Sequence, residues 1–199
     1  MSSFAARSGR ADARRNERRL LDAAAEALAE DPAASLERIA RRAGVSRATL
    51  YAHFAGREAL LDALTAASVA EMTAALRTAA PDENPPTPPA EAMVRVLVAA
   101  WQTIGRYRGL VIANQRLPAV ELRARTAPAT AVVRELILRG QRSGAFDPDL
   151  PADWLLGTVV DLIHAASRQV SAGAMDPAGA ERALLRTAGA VLASHRPAG

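Results

Sequence analysis

The sequence predicts an all-α chain of about nine helices, with an N-terminal three-helix helix-turn-helix domain followed by a larger helical domain. Three observations support this. Half of the 199 residues are hydrophobic, yet the aromatics amount to two Trp, two Tyr and three Phe, and the strong helix formers Ala, Leu, Arg and Glu dominate. No sustained run of alternating β-branched residues appears, whereas apolar residues recur at three- and four-residue spacing. Capping signals bracket those segments, as at Ser35 and Gly44, Ser46, and Asp176–Pro177. A chain of this length can bury a sizeable core and suits one or two domains.

Residues 35–61, SLERIARRAGVSRATLYAHFAGREALL, are the most informative stretch. Ser35 suits the N-cap of a helix Leu36–Ala43, because its hydroxyl can accept an otherwise orphaned backbone N–H. Gly44 can adopt the left-handed conformation that ends this helix, and Val45 plugs the corner. Ser46 caps a second helix from Arg47 to about Phe54. Leu50 and Phe54, four apart, share its buried side, with Ile39, Ala40 and Val45 completing a small core. Arg47 and Tyr51, and Thr49 and His53, form the opposite side, with Ala48 and Ala52 leaving room for close approach. This is the arithmetic of a helix-turn-helix whose second helix lies in the DNA major groove. Arg47 alone would fit an ordinary solvated face. The caps, glycine turn and buried pair together favour DNA, whose phosphates and base edges these side chains can contact.

The segment resembles the DNA-binding domain of TetR-family transcriptional regulators, whose pattern runs Thr-V-x-x-I-A-x-x-A-G-V-S-x-G-T-L-Y-x-H/Y-F-x-x-K-E-x-L. Arg19–Leu28 would supply the preceding helix. Leu36, Ile39, Ala40, Ala43–Ser46, Thr49–Tyr51, His53, Phe54, Glu58 and Leu60 match that pattern. Ser35 replaces Thr and keeps a capping hydroxyl, Ala48 stands where Gly is common, and Arg57 replaces Lys. The close match covers about residues 14–64. The resemblance implies a ligand-responsive repressor that binds a palindromic operator in double-stranded DNA as a homodimer. It also implies that Arg47, Thr49, Tyr51 and His53 lie in or beside the major groove, with Ser35, Ser46 and Ala48 among the DNA-contacting positions. Arg57 and the first-turn N–H groups of its helix would hold phosphate.

Charge is concentrated at the start. Arg7, Arg10, Arg14, Arg15, Arg18 and Arg19 against Asp12 and Glu17 give +4 over residues 1–19, which equals the formal net charge of the whole chain. Residues 1–13 are expected to form a basic arm outside the folded domain. That arm could follow the DNA backbone or enter the minor groove, or serve only as a solubilising tail. Arg14, Arg15 and Arg18 begin the first helix and lie closer to expected phosphates. The chain has no lysine, so phosphate affinity falls to arginine, polar side chains and backbone donors. It also has no cysteine, which removes disulfides, zinc-thiolate sites and thiol nucleophiles. No apolar run approaches the ~20 residues that cross a bilayer, and residues 1–10 lack a signal-peptide core. A cytoplasmic protein without membrane contact is expected.

Past the motif, Leu60, Leu61, Leu64, Met72 and Leu76 mark a long helix from about Arg57 to Ala79. It ends where five of nine residues between Pro81 and Pro89 are proline, which no helix accommodates. Composition alone would put a domain boundary there. The resemblance puts it near residue 64, with the long helix bridging both domains. Further helices are expected over Ala90–Arg106, with Met93, Leu97, Trp101 and Ile104 on one face, and near Tyr107–Gln115. Others follow over Val120–Ser143, as one helix or a pair kinked at Pro128, from Pro151 to Val170, and from Pro177 to about Ser194.

The last two helices are apolar on more than one side: Leu155, Leu156, Val159, Val160, Leu162, Ile163 and Ala166 on one, Leu184, Leu185, Ala188, Val191 and Leu192 on the other. A second apolar side needs a second partner, either within the subunit or in a homodimer whose paired helices form a four-helix bundle. Residues 65–199 are thus expected to form an effector-binding and dimerisation domain. Trp154, Gly157, Asp161, His164 and Arg168 make a polar stripe. It suits either the wall of a pocket for an unidentified small-molecule effector, faced by Trp101, Tyr107, Ile112 and Asn114, or a self-satisfying set at the dimer seam. Catalysis has little support. The three histidines lie far apart, no metal-ligand spacing or cofactor fingerprint appears, and no catalytic residue, metal or cofactor is expected.

Overall fold

A computed structural model describes residues 2–81, 87–114 and 117–193, with the side chains of residues 2–14 and of Ala119 outside that description. The described residues form nine helices and no strand: α1 Ser2–Glu30, α2 Leu36–Ala43, α3 Arg47–His53, α4 Arg57–Ala79, α5 Pro89–Arg106, α6 Arg108–Ala113, α7 Ala119–Arg142, α8 Ala152–Ser171 and α9 Pro177–Leu192. They divide into two compact units, residues 1–68 with 106–118, and residues 69–105 with 119–199.

The first unit is built on α1. Leu20, Ala24 and Leu28, four apart, are buried with Ile39 and Ala40 of α2, Leu50 and Phe54, and Leu60 and Leu64 of α4. The same core holds Tyr107 and Leu110. Here the structure differs from the sequence reading, which assigned everything after residue 64 to one later domain: the chain returns to the first unit through α6. Gly109 makes that return possible, since a methyl at this position would overlap the backbone of Leu28. Arg106 reinforces it through an ion pair to Asp22 at 2.6 Å, and Asn114 Nδ2 donates to Thr65 Oγ1 at 2.9 Å. A second difference is the helical backbone of α1, which reaches Ser2 where a non-helical arm was expected. Residues 2–13 contain four alanines and no proline, so a helix nucleated downstream can extend through them despite Gly9.

The second unit buries Met93, Leu97 and Trp101 of α5 with Val133, Leu136 and Ile137 of α7. From α8 come Leu155, Val159, Ile163 and Ala166, and from α9 Ala180, Leu184, Ala188 and Leu192. Both helices thus direct a strict three- to four-residue stripe inward. Pro128 lies inside a single α7 rather than between two helices. Asp176 caps α9 by accepting the Gly179 N–H at 2.8 Å, and Pro177 follows at the first position, where its missing N–H costs nothing.

The long helix α4 has the length and apolarity of a bilayer-crossing segment, with a mean hydropathy of 1.4 over 18 residues. The expectation that no apolar stretch reaches that length holds only for uninterrupted runs. Asp62 and Glu71 break this one, and its Leu60, Leu64 and Leu76 are buried in the cores.

Candidate nucleic-acid interface

The α2–α3 corner is set by local chemistry. Ser35 Oγ accepts the Arg38 N–H at 3.2 Å. At the other end Gly44 has φ of 68°, the Gly44 N–H donates to Arg41 O at 3.2 Å and the Val45 N–H to Ala40 O at 3.0 Å. These are the paired bonds of a Schellman stop, which relieve the last carbonyls of α2. Ser46 then starts α3. Its Oγ accepts the Thr49 N–H at 3.0 Å and lies 2.8 Å from Thr49 Oγ1, so the Thr49 hydroxyl is held at the helix start.

With Leu50 and Phe54 buried, α3 has one permitted orientation. Arg47, Ala48, Tyr51 and Ala52 are exposed, Tyr51 by 46 %, while Thr49 and His53 are half-buried. Arg47 lies 3.9 Å from Glu37, a loose, solvent-screened pair that leaves the guanidinium available. Short, rigid and anchored on one side, α3 presents donors, a methyl and a phenol along its outer face.

The surrounding arginines are divided between inward and outward roles. Glu30 accepts from Arg42 at 2.6 Å and from Arg38 at 2.7 Å. Hydrogen bonds from Arg42, then Arg38, hold its carboxyl below the usual carboxylate range. Arg19 donates to Ala43 O at 3.3 Å. These contacts tie α1 to α2, and no single-helix pattern encodes them, because Glu30 stands eight and twelve residues from its partners. Arg15 and Arg18 are exposed on α1, whereas the side chain of Arg14 lies outside the described residues. Arg57, expected at phosphate, has its Nη groups turned inward: Nη1 donates to Ala34 O and Nη2 to Pro32 O at 2.8 Å.

Residues 20–64, which hold this corner, match the family model described as bacterial regulatory proteins, tetR family. Solved structures extend the likeness to the whole fold. The regulator LfrR from Mycobacterium smegmatis, solved in complex with proflavine, is 25% identical with a TM-score of 0.73, over 92% of this chain and 99% of that one. A putative TetR-family regulator from Rhodococcus sp. is 20% identical at TM-score 0.73, covering 89% and 98%. The ketosteroid regulator KstR2 of Mycobacterium tuberculosis is 22% identical at 0.63, covering 89% and 96%. Residues 20–64 thus carry the likeness to the TetR family's DNA-binding domain, and the fold as a whole is the one these regulators share. No curated protein matches the chain.

Among the described residues no group of three or more His, Cys, Asp and Glu side chains could hold a metal ion. The residues expected around an effector are dispersed. Trp101 is buried in the second unit's core, while Tyr107 is buried in the first, beneath Arg106, whose guanidinium carbon lies 5.5 Å from the ring centre. Asn114 bonds Thr65, and Ile112 is exposed. On α8, Trp154 is 66 % exposed, Asp161 and Arg168 are exposed, and His164 is half-buried. Burial first, then Arg168, lowers the His164 pKa, with Asp161 opposing. The stripe residues share one helix, and Tyr107 and Asn114 belong to a different unit from them. In the first unit, Arg19, Asp22, Ala23, Glu26, Arg42 and Ala43 line a shallow cleft of about 220 Å³, whose charged groups face one another across α1 and α2.

Proposed function

We propose that this protein is a TetR-type, sequence-specific repressor in the cytoplasm that binds a palindromic operator as a homodimer and releases it when a small molecule binds the second unit. The outer face of α3 carries this reading: Arg47, Ala48 and Tyr51 are exposed, with Thr49 and His53 half-buried beside them, while Leu50 and Phe54 are buried. A helix locked on one side can hold its reading side chains in register with base edges. Arg47 and Tyr51 supply donors for phosphate or guanine, the Thr49 methyl suits thymine, and Ser35 and Ser46 sit at the two helix starts beside them. Arg15 and Arg18 on α1, with Arg14 beside them in sequence, add phosphate attraction.

The dimer rests on α8 and α9. After their inner stripes are buried, Leu156, Val160 and Leu162 of α8 and Leu185 and Val191 of α9 remain only half-buried, and a partner's matching pair would cover them. Two such protomers would present two α3 helices to half-sites ~34 Å or a multiple apart. Ligand response is supported by the proflavine complex of LfrR, with Trp154, Asp161, His164 and Arg168 of α8 and Trp101 of α5 as the groups that would meet an effector. The effector must favour the DNA-incompetent state, because equal affinity for both states shifts nothing. A difference of about 3 kcal/mol would lower operator affinity about a hundredfold.

Selection of duplexes from a random-sequence pool by the full-length protein tests the reading. An inverted repeat should be enriched and be bound ~10³-fold or more tighter than random duplex at the same salt. Equal affinity for selected and random DNA would instead indicate an architectural, effector-independent DNA-binding protein.

A further inference from the structure

Arg57 stands at the first position of α4, where the macrodipole favours an anion and disfavours a cation. Its guanidinium is nevertheless half-buried and spans two carbonyls of the α1–α2 loop, Pro32 O and Ala34 O. Ala34 is itself buried and immediately precedes Ser35, the N-cap of α2. The loop is further turned by the Ala33 N–H on Asp31 Oδ1 at 2.9 Å and the Ala34 N–H on Asp31 O at 2.9 Å. One side chain thus joins the start of α4 to the start of α2, on either side of the α3 it must keep in place. The fork geometry matters, because a guanidinium presents donors on two nitrogens to two acceptors at once, whereas an ammonium is a single point.

We propose that Arg57 is a positioning residue of the DNA interface: it clamps the α1–α2 loop to the first turn of α4 and so fixes the α2–α3 pair on the helix that enters the second unit, rather than neutralising a phosphate. This deepens the reading of the protein as a DNA-binding regulator and rests on it for the DNA arm of the test.

Counterion release separates the two roles, since each phosphate neutralised adds about 0.9 to the slope of log affinity against log salt. Full-length R57K and R57A are titrated from low to high NaCl against the duplex selected by the wild-type protein. As a clamp, Arg57 leaves the slope unchanged in both variants, and affinity falls about tenfold in R57K, which keeps the charge but loses the fork. As a phosphate ligand, it would lower the slope in R57A by about one per protomer and leave R57K close to wild type, which overturns the proposal. A second arm needs no DNA. Amide hydrogen exchange should quicken at Ala33, Ala34 and the first turn of α2 in R57K, with α9 unaffected; unchanged exchange there overturns the clamp. Should the wild-type protein select no duplex, the regulator reading fails while the exchange arm still decides the clamp.

Discussion

Gly109 of α6 lies so close to Leu28 of α1 that a methyl group on it would overlap the Leu28 carbonyl. Backbone cannot rotate away as a side chain can, so Gly109→Ala must separate the two helices or tilt one. The gain in helix propensity, about 1 kcal/mol, works against an overpacking cost of about 1–3 kcal/mol. The cost should win, because the clash is with backbone, giving a net loss of up to about 2 kcal/mol. Gly105→Ala is the control, because a Cβ there meets nothing within 4 Å; it should be neutral or stabilising. Urea midpoints for the two variants check the contrast, and an equal or higher midpoint for Gly109→Ala would mean that α1 and α6 do not approach so closely.

Ser46 separates folding from DNA binding. Its Oγ caps α3 through the Thr49 N–H, so Ser46→Ala should cost about 1 kcal/mol of stability and weaken DNA binding with it. Ser46→Asp keeps a capping oxygen and suits the helix dipole, so its urea midpoint should stay near wild type. The added carboxylate would nevertheless face phosphate if α3 enters the groove, and affinity for the selected duplex should fall at least tenfold. Retained affinity in Ser46→Asp would move the DNA surface away from the start of α3.

The parts of this molecule that could be read from sequence are those fixed within one or two turns of chain. Ser35, Gly44, Ser46 and Asp176 act through bonds three or four residues away, and each ends or begins a helix where expected. Leu50 and Phe54 were legible because helical spacing alone puts them on one side. The clamp at Arg57 joins residues 23 and 25 apart, and the Arg106–Asp22 pair spans 84. No periodicity encodes such distances. The assignment of α6 to the first unit likewise depends on a packing space at Gly109 that local sequence does not reveal. For the effector residues, spacing correctly gathered Asp161, His164 and Arg168 on one helix but carried no information about which helix faces them.

His164 makes stability depend on pH in one direction. Burial and then Arg168 lower its folded-state pKa from 6.5, so the folded protein resists the proton that the unfolded chain accepts. Its contribution is therefore fully present above about pH 6.5 and is lost as pH falls from there through the depressed folded value. His164→Gln removes the titration, so the stability difference between pH 7.5 and pH 5 should shrink in the variant. Urea denaturation at the two pH values measures it. An identical pH response in wild type and variant would mean that His164 is solvated in both states.

The dimer prediction is best tested on α9 away from the protomer's own core. Leu185 is half-buried against that core, so a polar replacement there disturbs folding as well as association. Ala183, Thr187 and Ala190 are exposed, four and three residues apart, and their small size lets a second helix approach closely. A large cation in that line meets only solvent in a monomer but obstructs a four-helix seam. Ala190→Arg should therefore keep its helix content, yet shift the protein from dimer to monomer in light scattering. Affinity for the selected inverted repeat should fall in parallel, because a monomer reads one half-site and loses the gain from linking two. Ala190→Arg that remains dimeric and binds the repeat as tightly as wild type would place the interface on another face.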